Sequence, residues 1–159
     1  GSVVPLFLKQ RNENFFTITH KEMTRFNITI QEGVNTVIWG IKNFYGGEIL
    51  IPKIPSFKVL DLIKAIKPSK KIKVIGIRKG EKLHEEMITI SDSLNTIETN
   101  KNYFIINENP NLLKYYKNKF KSKFVSKNFS YSSDKNSNFL SIKQLKSNLN
   151  KYVVSKKSY

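Results

Sequence analysis

No cysteine occurs in the 159 residues, so neither a disulfide framework nor a thiolate metal site can form. The two histidines, His20 and His84, cannot hold zinc unless several carboxylates converge on them, and a metal-free protein is the expectation. No run approaches the ~18 consecutive apolar residues of a membrane span, and no charged-then-apolar leader opens the sequence. A soluble protein is expected, cytoplasmic by default. The seven glycines never fall into G-x-G-x-x-G or a P-loop, and no serine lies in G-x-S-x-G. Neither histidine has a triad context. The expectation is a chain with no catalytic residues and no cofactor-binding loop of its own.

Acidic residues are scarce too: 12 Asp/Glu face 28 Lys/Arg, a net charge of +16. Alone, that excess points to nucleic acid or an anionic lipid surface. Residues 1–100 hold fifteen Lys/Arg against ten Asp/Glu, whereas 101–159 hold thirteen Lys against Glu108 and Asp134, so the excess reads as a property of the tail. All thirteen are lysine, without the guanidinium fork that reads bases and clamps phosphates. Solvation and compositional drift are therefore favoured over a nucleic-acid surface, and a basic binding module stands as the rival from another class. The length suits one domain. The composition divides it into an α/β part, 1–100, and a Lys/Asn-rich extension, 101–159, with a strand and short helices.

Composition predicts a short helix over the apolar run Val3–Lys9, with Pro5 near its start, and a strand over the β-branched and aromatic run Phe15–Thr19. Thr29 and Glu32 form a capping box for a helix carrying Ile30, Val34, Val37, Ile38 and Ile41 on one stripe, and Gly46-Gly47 stops it. Glu48–Lys53 reads as a strand and Ser56 as the N-cap of a helix bearing Val59, Leu60, Leu62, Ile63 and Ile66. Lys71–Ile77 alternates as a strand, and Glu81–Met87 has helical composition. Tyr103–Ile106 reads as a strand, Leu112–Phe120 and Ser141–Leu149 as helices. The alternation of helices and strands over 3–90 predicts an α/β fold.

The segment Ile75-Gly76-Ile77-Arg78-Lys79-Gly80-Glu81-Lys82-Leu83-His84-Glu85 lies at a strand-to-helix junction. Such junctions at the carboxyl ends of strands are where α/β folds bind ligands, and a guanidinium there can grip a diphosphate bidentately while Glu81 accepts from ribose hydroxyls. A surface pairing of Arg78 with Glu81, Glu85 or Glu86 explains the same residues equally well. Arg25, before the capped helix, is either a second junction arginine or a solvated one. Gly1-Ser2, with no initiating Met, reads either as a cloning scar or as a polypeptide that begins in mid-domain.

Six motifs occur in order: Gly1-Ser2-Val3-Val4-Pro5-Leu6-Phe7; Thr17-Ile18-Thr19; Met23-Thr24-Arg25-Phe26; Gly46-Gly47-Glu48-Ile49 with Pro52-Lys53-Ile54-Pro55-Ser56; Gly76-Ile77-Arg78 with Gly80-Glu81-Lys82-Leu83-His84-Glu85; and Tyr131-Ser132-Ser133-Asp134. The series resembles the C-terminal half of the inverting UDP-N-acetylglucosamine 4,6-dehydratases, in the polysaccharide-biosynthesis branch of the extended short-chain dehydrogenase/reductase superfamily. The resemblance implies the substrate-binding part of a Rossmann-type fold without its N-terminal Rossmann half, with Gly1-Ser2 native. It implies NADP and the catalytic residues on that absent half, and a homo-oligomeric full-length enzyme acting on a UDP-sugar. Its product would be a 4-keto-6-deoxy sugar nucleotide inverted at C5, for pseudaminic-acid or surface-polysaccharide synthesis. By the same resemblance Arg78 grips the diphosphate, Glu81 holds the ribose, Arg25 is a second phosphate ligand, and Val3 and Thr17 line the pocket. Lys79 replaces a usual Pro and Asn27 a usual aromatic, which bear on loop rigidity and packing more than on recognition. A UDP-sugar epimerase of the same branch is the near alternative; Gly46-Gly47-Glu48-Ile49 and Tyr131-Ser132-Ser133-Asp134 favour the dehydratase. Without its partner half the chain is expected to expose an apolar face built from Val3, Val4, Leu6, Phe7, Val37 and Trp39.

Overall fold

The computed structural model describes residues 3–106 and 109–156, so Gly1 and Ser2 lie outside the described residues. In chain order the elements are α1 (Val3–Gln10), β1 (Phe15–Ile18), β2 (Thr24–Phe26), α2 (Ile30–Asn43), β3 (Ile49–Pro52), β4 (Ser56–Lys58), α3 (Val59–Ile66) and β5 (Lys71–Val74). There follow β6 (Glu86–Ile88), a 3-10 turn (Asp92–Asn95), β7 (Thr96–Glu98), β8 (Asn102–Ile105), α4 (Pro110–Phe120), β9 (Lys123–Phe124), β10 (Tyr131–Ser132) and α5 (Ile142–Lys156). They form two compact units: unit 1 from Gly1–Phe26, Pro55–Glu85 and Asn136–Tyr159, and unit 2 from Asn27–Ile54 and Glu86–Lys135.

Unit 1 is built on the parallel pair β1 and β5, in register from Phe15 opposite Lys71 to Ile18 opposite Val74. The alternation of the strand sends Phe16 and Ile18 into the core and leaves Phe15 exposed. Phe7 of α1 meets Phe16 edge-on at 5.7 Å, and Leu62 and Ile63 of α3 with Leu145 and Leu149 of α5 complete the cluster. Each such fully buried side chain contributes ~1.5–3 kcal/mol relative to exposure. Strands β2 and β4 pair antiparallel, with Arg25 opposite Phe57.

Unit 2 carries a four-stranded antiparallel sheet in the order β3-β8-β7-β9 and a separate β6–β10 pair. Ile97, Phe104, Leu112 and Tyr116 form its core, and Trp39 of α2 packs on Phe104 and Phe120. The capping box of α2 is present: the Glu32 amide donates to Thr29 Oγ1 at 3.2 Å, and the Thr29 amide donates to Glu32 Oε2 at 2.7 Å. A cap of this kind is worth ~1 kcal/mol. At the start of α4, Asn109 accepts from the amides of Asn111 and Leu112.

Several expectations are corrected. Ser56 is not a helix cap: it is buried within β4, its hydroxyl accepts from Asn136 Nδ2 at 2.9 Å, and Lys58 occupies the cap position of α3 without a side-chain bond. Residues 81–85 are not helical, and Glu86–Ile88 is strand. Gly80 sits at φ 78°, and the Leu83 carbonyl is taken by the Thr24 amide at 3.2 Å, so local and long-range bonds outcompete the helix. Arg25 lies inside a strand rather than in a loop. Phe7 is 2% exposed and Val3 and Val4 pack on the unit 1 core, so of the α1 residues expected at an open face only Leu6 is exposed. The open apolar surface lies on α2, whose stripe Ile30, Val34, Val37, Ile38 and Ile41 is exposed.

Charge is also uneven between the two units. Unit 1 holds eighteen Lys/Arg against five Asp/Glu, net +13, and unit 2 ten against seven, net +3, which together make the chain's +16. By position, residues 101–159 still carry net +11 of the +16, and folding places α5, which belongs to that stretch, in unit 1 with the N-terminal and central segments.

Candidate functional site

Every residue singled out for ligand binding falls in unit 1. Strands β1 and β5 run parallel, so their carboxyl ends lie side by side, and the chain leaves them through His20–Glu22 and through the Ile75–Glu85 segment. This is where a parallel α/β arrangement leaves backbone and loops free to meet a ligand.

Glu81 is the hub of this corner. Its Oε1 accepts from the Thr19 hydroxyl at 3.1 Å, and its Oε2 accepts from the Arg78 backbone amide at 3.2 Å. The Glu81 amide in turn donates to the Arg78 carbonyl at 3.0 Å, closing a tight turn. Gly76 and Gly80, at φ 86° and 78°, bracket Arg78 in backbone conformations that residues with a Cβ rarely adopt. The turn uses Arg78 for its main chain and leaves the side chain exposed, with no carboxylate partner for the guanidinium among the described residues.

Arg25 faces inward, with a side chain only 15% exposed. Its Nη1 donates to the carbonyls of Thr24 at 2.7 Å and Leu83 at 3.1 Å, its Nη2 lies 4.0 Å from Glu81 Oε1, and its Nε lies 3.6 Å from Glu85 Oε1. Glu85 Oε2 also accepts from the Phe26 amide at 2.7 Å, and Thr24 Oγ1 meets His84 Nδ1 at 2.8 Å. Strand β2 is thus stitched to the Arg78–Glu85 segment. The pairing left open by the sequence resolves as follows: Glu81 takes the amide of Arg78, Glu85 pairs with Arg25, and Glu86 belongs to β6.

The structure brings Arg78, Glu81 and Arg25 together. Thr17 and Val3 make other contacts within the unit: the Thr17 hydroxyl accepts from Gln10 Nε2 at 2.7 Å, and Val3 packs on the core from α1. Sequence reasoning missed Thr19 and the role of Glu85. Thr19 carried a weak signal, being two residues beyond Thr17 at the end of a predicted strand. Glu85 carried none, because its partners lie some sixty positions away.

The remaining motifs shape the fold. Glu48 accepts from the amides of Tyr45 and Gly46, both at 2.7 Å, which pins the Gly46-Gly47 turn. The Tyr131 hydroxyl donates to the Ile54 carbonyl at 2.8 Å and accepts from the Ile54 amide at 2.9 Å, joining the Pro52–Ser56 and Tyr131–Asp134 motifs. Among the described residues no glycine-rich turn opens a helix, so they do not fit a dinucleotide, and no cofactor step is assigned to them. Among them, too, no helix is long and apolar enough to cross a membrane.

This mixed α/β architecture is that of part of an extended short-chain dehydrogenase/reductase. It superposes on the X-ray structure of Pen from Bacillus thuringiensis with a TM-score of 0.75 and 27% identity, covering 97% of this chain and 47% of that one. Residues 1–107 match the model of the polysaccharide biosynthesis protein family, and the chain belongs to that family. It is 44% identical over 155 residues to a UDP-N-acetylglucosamine 4,6-dehydratase (inverting) of Campylobacter jejuni serotype O:2, covering 91% of this chain and 46% of the relative. A UDP-glucose 4-epimerase of Rickettsia bellii is 31% identical over 157 residues, 94% of this chain and 46% of the relative. The chain spans about half the length of the curated relatives it matches.

Proposed function

We propose that this chain is the UDP-binding half of an inverting UDP-N-acetylglucosamine 4,6-dehydratase. The observation that carries the reading is the corner at the carboxyl ends of β1 and β5, where Glu81 fixes the turn and the Arg78 guanidinium stands open to a ligand. In this reading Arg78 grips the diphosphate with two parallel N–H···O bonds, and Arg25 adds positive charge from the inner side. Glu81 uses two of its roughly four lone-pair sites internally, which leaves capacity for ribose hydroxyls. Thr17 and Val3 line the sugar-nucleotide pocket. The dehydratase is preferred to the epimerase on the 44% against 31% identity; Glu48 and Tyr131, in the two motifs that favoured it, serve the fold.

NADP, held by an N-terminal Rossmann half of a homo-oligomeric cytoplasmic enzyme, supplies the redox chemistry of the reaction. This chain's own residues hold the nucleotide so that the sugar is presented in one orientation, an entropic contribution. The product, a 4-keto-6-deoxy sugar nucleotide inverted at C5, feeds pseudaminic-acid or surface-polysaccharide synthesis. The exposed stripe of α2 is the kind of surface that a further half of the protein would cover.

The test is calorimetric titration of UDP into the Arg78→Ala and Lys79→Ala variants of the full-length enzyme. Losing a charge-assisted bidentate contact costs about 2–4 kcal/mol, roughly 30- to 1,000-fold in affinity, whereas removing a solvated lysine costs under about 1 kcal/mol. Equal affinities in the two variants would refute Arg78 as the diphosphate ligand.

A further inference from the structure

The net +13 of unit 1 is not explained by the contacts of the site, and its placement bears on how a ligand arrives. Three of the five carboxylates in the unit are already committed: Asp61 to Lys64 at 3.5 Å, and Glu81 and Glu85 to Arg25 at 4.0 and 3.6 Å. Glu13 and Glu22 alone remain to offset the other cations. Around the corner that holds Arg78, the lysines are exposed and carry no carboxylate partner among the described residues. Lys21 follows the carboxyl end of β1, Lys79 and Lys82 flank Glu81 and Gly80, Lys73 lies on the strand that leads into the turn, and Lys71 stands farther back at the amino end of that strand. On β5, Lys73 shares a face with Phe15, holding its ammonium 5.5 Å from that ring rather than from any acid.

We propose that these lysines form an electrostatic approach to the site, which captures an anionic nucleoside diphosphate at long range and delivers it to Arg78 without contacting it when bound. This rests on the reading of the corner as a UDP site and adds to it a role for residues outside the contact set. A surface lined by one sign of charge raises the association rate of an oppositely charged ligand by about 10- to 1,000-fold, and the effect collapses with ionic strength. The Debye length of about 10 Å at 0.1 M sets the reach, so the enhancement belongs to low salt and to charges grouped around one entrance. A partner of another class fits less well. Sequence-specific binding of duplex DNA asks for arginine forks directed at base edges, and unit 1 offers three arginines, of which Arg25 is turned inward. An anionic membrane asks for an amphipathic helix with an apolar face among the cations, whereas the apolar side chains here, Phe15, Ile72, Val74, Ile75 and Ile77, are 36–48% exposed on strands and the segment after β5 and lie on no helix.

The test is 31P line-shape analysis of UDP titrated into the full-length protein, which yields association and dissociation rates separately, at 25 and 250 mM salt. The triple variant Lys21→Gln, Lys73→Gln, Lys82→Gln is expected to lower the association rate roughly three- to ten-fold at low salt. Its dissociation rate should move less than about two-fold, its salt dependence should flatten, and its affinity for uridine should be unchanged. The pair Lys71→Gln, Lys73→Gln provides a second variant with smaller structural risk, expected to show the same pattern at lower amplitude. An association rate that is unchanged in both, or a loss that falls on dissociation, overturns the proposal while leaving the UDP site intact. Parent protein that binds no UDP removes the site itself. Displacement of bound UDP by anionic vesicles or duplex DNA at 250 mM salt would assign the lysines to that partner and overturn steering.

Discussion

Replacing Glu48 by alanine tests the reading that Gly46-Gly47-Glu48-Ile49 is a fold motif. The carboxylate accepts from two backbone amides at 2.7 Å and from the hydroxyl of Tyr116, whose side chain is fully buried. Without it the two turn amides regain water at little cost, but the Tyr116 hydroxyl is left as a buried donor with no acceptor, a penalty of about 1–3 kcal/mol. Losing the charge-assisted character of the bonds brings the total to roughly 2–4 kcal/mol, and Glu48→Gln, which keeps an acceptor, should cost about 1. Burial raises the Glu48 carboxyl, but the Tyr116 hydroxyl and the backbone amides of Tyr45 and Gly46 outweigh it, and the net value lies below the ordinary 4.5. The sign follows: stability from this group is complete above about pH 4.5 and is lost as pH falls through the lower folded value. Urea unfolding at pH 7 and pH 3 of the single variants, Tyr116→Phe and the double variant is the assay. Adding Tyr116→Phe to Glu48→Ala should recover about 1–2 kcal/mol, because the orphaned donor is gone. Strict additivity, or a Glu48→Ala penalty undiminished at pH 3, would refute the account.

Glu98 pairs with Lys53 at 3.1 Å and Lys123 at 3.2 Å; burial pushes its carboxyl up, but the two ammonium groups outweigh it and hold it below the ordinary 4.5. Glu98→Gln should cost under about 1 kcal/mol at pH 7 and less at pH 3, and urea midpoints at the two pH values decide it. Ile41, 77% exposed on α2, should accept lysine with a stability change within about 0.5 kcal/mol while binding of a hydrophobic dye by the 159-residue chain falls; a large destabilisation would show that the stripe is packed. The 159-residue chain incubated with UDP-N-acetylglucosamine and NADP should yield no 4-keto product by NMR, and turnover above the blank would contradict the placement of the chemistry on another half.

What the sequence displayed of this fold was its local chemistry. Thr29 and Glu32, Pro5, and the β-branched and aromatic run Phe15–Thr19 act within a few residues, and the structure forms the capping box, the short helix and a strand over Phe15–Ile18. Ser56 shows the limit: before an apolar run it carries the signature of a cap, yet its hydroxyl and amide are claimed by Asn136 and Asn138, eighty positions downstream. The same holds at the corner. Glu81 and Arg78 were visible because they lie three apart in a turn with two glycines, whereas the Arg25 and Glu85 pairing spans sixty residues and no pattern of spacing announces it. The apolar stripe of α2 was read correctly as a helix face, but periodicity says nothing of what covers it.

The interleaving of the two units has a consequence for how the chain is made. Unit 2 is complete once Lys135 has been synthesised, but the unit 1 core needs Leu145 and Leu149, which the ribosome adds later. Phe16, Ile18, Leu62 and Ile63 therefore wait, exposed, while the 82 residues from Ile63 to Leu145 emerge, roughly four to sixteen seconds at ordinary elongation rates. The Lys/Asn-rich extension holds the segment whose arrival ends that wait, so a stop codon ahead of Leu145 would release a chain with unit 2 formed and unit 1 open to proteases and chaperones.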